Sequence, residues 1–154
     1  MQATFVILLS ILLVVYLIQD AVHMPPLNNQ RQMVKHLGWT KIILGTALMS
    51  GLIGYSLWVA INYRGQPLPL GAKIFYLVFW TMLLLGMFDS WYRAYFFGPK
   101  PKDLDDYSKY HAGTHTILPP RNGYPGPNTF HLVIVHPLGV AGVVLGYLKV
   151  AGVF

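Results

Sequence analysis

The stretch Ile74–Phe97, IFYLVFWTMLLLGMFDSWYRAYFF, decides the fold class. No charge appears before Asp89. At about 1.5 Å per helical residue such a segment crosses the roughly 30 Å hydrocarbon core of a bilayer, and in lipid every backbone N–H and C=O must be bonded within the segment, which selects helix. Three further runs share this character: about 3–18 (ATFVILLSILLVVYLI), about 42–63, and about 130–152. The first lacks a basic leading segment and a small-residue cleavage site, so it reads as a retained helix rather than a signal peptide. The expected fold is therefore all-α: an integral membrane protein with four transmembrane helices, in one domain over residues 1–154. The long loops 19–41 and 98–129 leave the same face of that bundle.

Composition agrees. Of 154 residues 55% are hydrophobic and 10% charged, with no Glu at all, against about 25% charged in soluble domains. Without Cys there is no disulfide, no thiolate nucleophile and no cysteine-based zinc or iron–sulfur site. The net charge of +6 does not imply nucleic acid, because the basic residues are scattered through loops rather than set on a helix among stacking aromatics. They read as topology signals. Arg31, Lys35 and Lys41 lie in the first loop, Lys100, Lys102, Lys109 and Arg121 in the third, and only Arg64 and Lys73 in the second. The expected orientation places loops one and three in the cytoplasm and both termini outside, in a cell membrane of the bacterial plasma type.

Small residues four apart, Ala47/Gly51 and Ser50/Gly54 in the second helix and Gly142/Gly146 in the fourth, predict close packing between those two helices. A short echo joins the long loops: Pro25-Pro26-Leu27-Asn28 and Pro119-Pro120-Arg121-Asn122. It fits either a duplicated hairpin or shared turn chemistry.

All six histidines and all five aspartates fall in loops one and three or in the adjoining helix turns. Solvation of long loops explains such a bias, and so does a polar site at one membrane face. Asp89 stands near the cytoplasmic edge of the hydrocarbon, where Arg93 at i+4 can pair with it and Trp91 and Tyr95 supply interfacial aromatics. Lys102–His111 predicts a short helix with Asp103 as N-cap and Gly113 as its stop. Pro137 predicts a kinked start for the fourth helix, which turns His136 toward protein or a wet pocket.

The loop Lys109–His131, KYHAGTHTILPPRNGYPGPNTFH, carries three histidines and four prolines. It predicts a stiff, histidine-rich cap that carries His111, His115, Arg121 and Tyr124 over the helix ends. Asp89, His111, His115 and His136 are the expected acid–base groups, and Arg93, Trp91, Tyr95, Arg121 and Tyr124 the expected binding groups. His111, His115, His131 and His136 are the candidate ligands for a divalent metal such as zinc or iron. Ala112 stands where a zinc-protease HExxH motif needs Glu. Rossmann, P-loop, nucleophile-elbow and paired-aspartate patterns are absent as well. Two functions follow. One is a membrane enzyme or binding protein for a lipid-like, amphipathic ligand. The other is a non-catalytic subunit or homo-oligomeric scaffold of a membrane complex.

Overall fold

The computed structural model describes residues Met1 to Phe154 and is all-helical. Four helices are long and apolar enough to cross a membrane: α1 (Gln2–Ala21), α3 (Trp39–Asn62), α4 (Leu70–Phe97) and α6 (His131–Val150). Two short helices lie in the long loops, α2 (Gln30–Leu37) and α5 (Pro101–Tyr110). The outward faces of the long helices expose Ile7, Ile11, Leu44, Leu48, Val78, Leu85 and Val144. A water-facing surface would not carry so much contiguous apolar area, whereas a lipid-facing one does.

The packing corrects one expectation. The small-residue stripes of the second and fourth long helices do not meet: α1 packs on α3 and α6, and α4 packs on α6. Gly142 and Gly146 instead receive Trp80 of α4, whose ring atoms stand 2.7 and 2.6 Å from where a Cβ would be. Gly51 and Gly54 of α3 have open space around them.

Helices α3 and α4 touch mainly near the short connection between them. There Tyr55 meets Phe75 edge-on at 4.6 Å, and the Tyr76 hydroxyl donates to the Ser56 carbonyl at 2.7 Å. The same end holds most of the core, with Phe5, Leu9, Ile53, Val59, Tyr76, Phe79 and Trp80 buried together. Lys149, 2% exposed, closes it by donating to the carbonyls of Tyr63, Gln66 and Phe154 at 2.8, 3.2 and 2.9 Å. Toward the long loops α3 and α4 separate, and the space between them is a cavity.

The long loops are tied to each other and to the helix ends. The His115 amide donates to the Pro26 carbonyl at 2.8 Å, and the Asn29 side chain donates to the Ala112 carbonyl. The echoed prolines lead to asparagines with one local role. Asn28 donates to the Gln19 and Val22 carbonyls at 2.8 Å, and Asn122 reaches the Tyr95 and Phe96 carbonyls at 3.4 Å. Each amide supplies partners for carbonyls that the preceding helix leaves unbonded at its end. A second correction concerns Asp103. It is not the N-cap of α5 but lies at its third position, from which its carboxylate accepts the Lys100 amide at 2.6 Å.

Candidate functional site

Two widened helical turns face the long loops. In α4 the chain winds as a π-helix over Phe88–Arg93, and in α6 over His131–Val135. The second has a covalent cause: Pro137 has no N–H to offer the Val133 carbonyl, and the turn before it opens so that the His136 amide bonds the His131 carbonyl. The sequence-based kink is thus a π-turn. Such turns are rare and recur at functional sites, since they displace side chains from the regular helical face.

Here they bring Trp91 against three histidines. Its ring centroid lies 4.7 Å from His111, 4.6 Å from His131 and 6.0 Å from His136. Hydrogen bonds fix two of the imidazoles. Asn128, buried ahead of α6, accepts both the His131 amide at 2.9 Å and its Nδ1 at 2.8 Å. The carboxamide oxygen therefore requires Nδ1–H and leaves His131 Nε2 as an acceptor. His136, 3% exposed, meets the Tyr92 hydroxyl through Nδ1 at 2.9 Å, and its Nε2 has no partner. Burial pushes the pKa of His111, which lies in the loop, down to about 4. It is neutral at physiological pH.

Two cavities flank this cluster. An apolar one of about 340 Å³ lies between the long helices, lined by Tyr16, Met49, Leu52, Phe79, Met82, Met87, Val135 and His136 among others. A polar one of about 580 Å³ lies on the loop side, lined by Asp89, Arg93, Lys100, Lys102, Asp103, Asp106, His111 and Tyr124. Ser90, Trp91 and His131 line both. These three residues lie where the two cavities adjoin, with hydrocarbon on one side and charge on the other.

Arg93 organises the polar side. Its Nε donates to Asp89 at 2.7 Å and its terminal nitrogen to Asp103 at 2.8 Å. Asp89 is 73% exposed and Asp103 18%, so the ion pair with Asp103 is the better shielded one. Burial alone would raise the Asp103 pKa, but hydrogen bonds from Arg93 and the Lys100 amide outweigh it and lower the value. Tyr124, packed on Tyr107 at 5.5 Å, is pushed up to about 12, chiefly by burial.

The structure brings together Asp89, Trp91, Arg93, His111, Tyr124, His131 and His136 around the two cavities. It does not bring in the rest. His115 points elsewhere, with Nδ1 2.7 Å from the Thr129 hydroxyl. Arg121 lies over the Phe96 ring at 5.4 Å. Tyr95 is buried beneath Gly126 and donates to the Pro119 carbonyl at 3.0 Å, so it supports the cap and lines neither cavity. The four-histidine metal set is corrected too: no three His or carboxylate side chains converge closely enough to share an ion, although the His131 ring lies 5.9 Å from that of His111 and 5.6 Å from that of His136. No histidine hydrogen-bonds to an aspartate, and the imidazoles converge on the indole rather than through one network reaching Asp89 or Arg93.

Four contributors carry no prior signal in spacing or composition. Ser90 and Asn128 are isolated polar residues, and Tyr92 looks like one more interfacial aromatic. Tyr16 sits on a different helix altogether. Only the π-turns, and the separation of α3 from α4, place them at the site. The chain matches no protein-family model, no curated protein and no solved structure, so its function is argued from this geometry.

Proposed function

We propose that the chain is an integral membrane protein that binds an amphipathic, lipid-like molecule at the cytoplasmic interface, with its tail between the long helices and its headgroup under the proline-rich cap. One observation carries this reading: an apolar and a charged cavity meet at Ser90, Trp91 and His131. A wholly polar ligand would leave the apolar part unfilled, and a pure hydrocarbon would bury charges without partners. Methionines line the apolar part at Met49, Met82 and Met87, and their flexible thioethers adapt to an irregular chain.

The test fills the apolar cavity. Gly86 lines it, and nothing lies within 4 Å of where its Cβ would be. Gly86→Trp is expected to fold, because the added Cβ meets no atom within 4 Å and a helix-interior glycine is replaced by a better helix former. Protein extracted in mild detergent should carry about one tightly held lipid per chain in the wild type and none in Gly86→Trp. Equal lipid content in both would sink the reading.

A second reading, a subunit of a membrane complex or homo-oligomer, is favoured by the uncovered Gly51 and Gly54 on α3, since small residues facing outward permit close approach of another helix. Mass measurement of the detergent-solubilised particle distinguishes a single chain from an assembly.

A further inference from the structure

Where the two cavities adjoin, the hydrogen-bonding groups differ in sign. The Trp91 indole N–H can only donate, the Ser90 hydroxyl can do either, and His131 is fixed as an acceptor.

The state of His131 follows from its partners. Its backbone amide and its Nδ1 face one atom of the Asn128 carboxamide, at 2.9 and 2.8 Å. A backbone N–H can only donate, so that atom is the oxygen, and Nδ1 must carry the ring proton. Asn128 is 1% exposed and keeps this orientation although its Nδ2 is left buried without a partner. His131 Nε2 therefore presents a lone pair. It bonds nothing in the protein, yet unlike His136 Nε2 it keeps accessible surface, on a half-buried ring that lines both cavities.

A ligand group at this level satisfies Nε2 only by donating to it. Ester carbonyls, ether oxygens and phosphates have no proton to give. They suit Trp91 but leave His131 bare, and Nε2 then loses its hydration without compensation. An ammonium group has protons, but no carboxylate lines the apolar cavity to balance its charge. A hydroxyl is neutral, and it both donates and accepts. On the loop side, three cations, Arg93, Lys100 and Lys102, are matched by three carboxylates, Asp89, Asp103 and Asp106. The polar cavity thus favours neither sign of headgroup charge, and it is His131 that selects.

On the amphiphile reading above, we propose that the ligand is a lipid carrying a free hydroxyl where its headgroup meets its chain, as lysolipids and monoacylglycerols do, and that this hydroxyl donates to His131 Nε2.

The test uses the full chain, stripped of lipid in detergent, and three probes bearing the same fluorescent chain. They are lysophosphatidylcholine, whose glycerol keeps a free hydroxyl beside the acyl ester, its O-methyl ether, and its deoxy analogue. The alcohol is expected to bind about five- to tenfold more tightly than either analogue, the effect of one buried hydrogen bond. His131→Phe keeps a ring against Trp91 and removes the acceptor, and should bring the three probes within about twofold. Nitrogen NMR of the histidine-labelled wild type needs no variant to fold. It should show His131 protonated at Nδ1 and bare at Nε2, with an Nε2 resonance that moves when the alcohol binds and not when the deoxy analogue does. Glycerophosphocholine without a chain should not displace the alcohol.

Equal binding of the three probes by the wild type would overturn the hydroxyl assignment while the amphiphile reading stands. A preference for the alcohol that survives in His131→Phe, or a proton found on Nε2, would overturn His131 as the acceptor. Displacement by glycerophosphocholine, or failure of all three probes to bind, would overturn the amphiphile reading itself, and the hydroxyl assignment with it.

Discussion

Protonating His111 works against the fold. Its imidazole is packed against Trp91, Tyr107 and His131, and burial holds its pKa near 4. The unfolded chain takes up that proton near the ordinary value of about 6.5, so between these limits the unfolded state binds more protons and stability rises with pH. Thermal unfolding in detergent should give a midpoint that falls as pH drops from about 6.5 toward 4, with a shallower fall in His111→Asn. A midpoint that rises on acidification, or an unchanged slope in the variant, would contradict the burial argument. The Arg93 pairs give a second prediction at this scale. Asp103→Asn should lower the unfolding midpoint more than Asp89→Asn, because Asp103 is shielded and also closes the first turn of α5; the reverse order would mean that the exposed pair dominates. The Asp89–Arg93 pair was legible in the sequence, since four helical residues separate the partners. Asp103 was not, because its approach depends on how the Gly98–Pro99 turn folds α5 back.

Helix pairing is governed by Trp80. Its indole fills the groove left by Gly142 and Gly146, which is why α4 rather than α3 packs against α6. Gly142→Ala places a methyl within the Trp80 ring and should cost about 1 to 3 kcal/mol of stability, as overpacking does, whereas Gly51→Ala should be neutral because its surroundings are open. Similar melting temperatures for both variants would remove Trp80 from the argument. The spacing of small residues announced that something approaches α6 closely but could not name the partner, because a smooth stripe accepts a neighbouring backbone and a large ring equally well. Local winding was half legible in the same way. Pro137 marked the disturbed start of α6, since a missing N–H is written in the residue itself. The π-turn at Phe88–Arg93 contains neither Pro nor Gly and leaves no such mark.

At the scale of the molecule, the four apolar helices and the shared face of the long loops followed from hydropathy and segment length, because lipid leaves the backbone few alternatives. The adjoining cavities did not follow, since they depend on α3 and α4 meeting at one end and separating at the other. Orientation is open to direct measurement. The chain has no native Cys, so Ser108→Cys should react with an impermeant thiol reagent only from the cytoplasmic side and Gln66→Cys only from outside; the opposite pattern would move the site to the outer face. The central claim is that one amphiphile fills both cavities, and a photoactivatable phospholipid tests it most directly. With its reactive group in the acyl chain, cross-links mapped by peptide mass spectrometry should fall on the cavity wall at Met49, Leu52 and Phe79 and be suppressed by Gly86→Trp. Cross-links spread over the outward-facing Ile43, Leu48, Val78 and Val144, and indifferent to Gly86→Trp, would show lipid merely surrounding the bundle and would contradict the account.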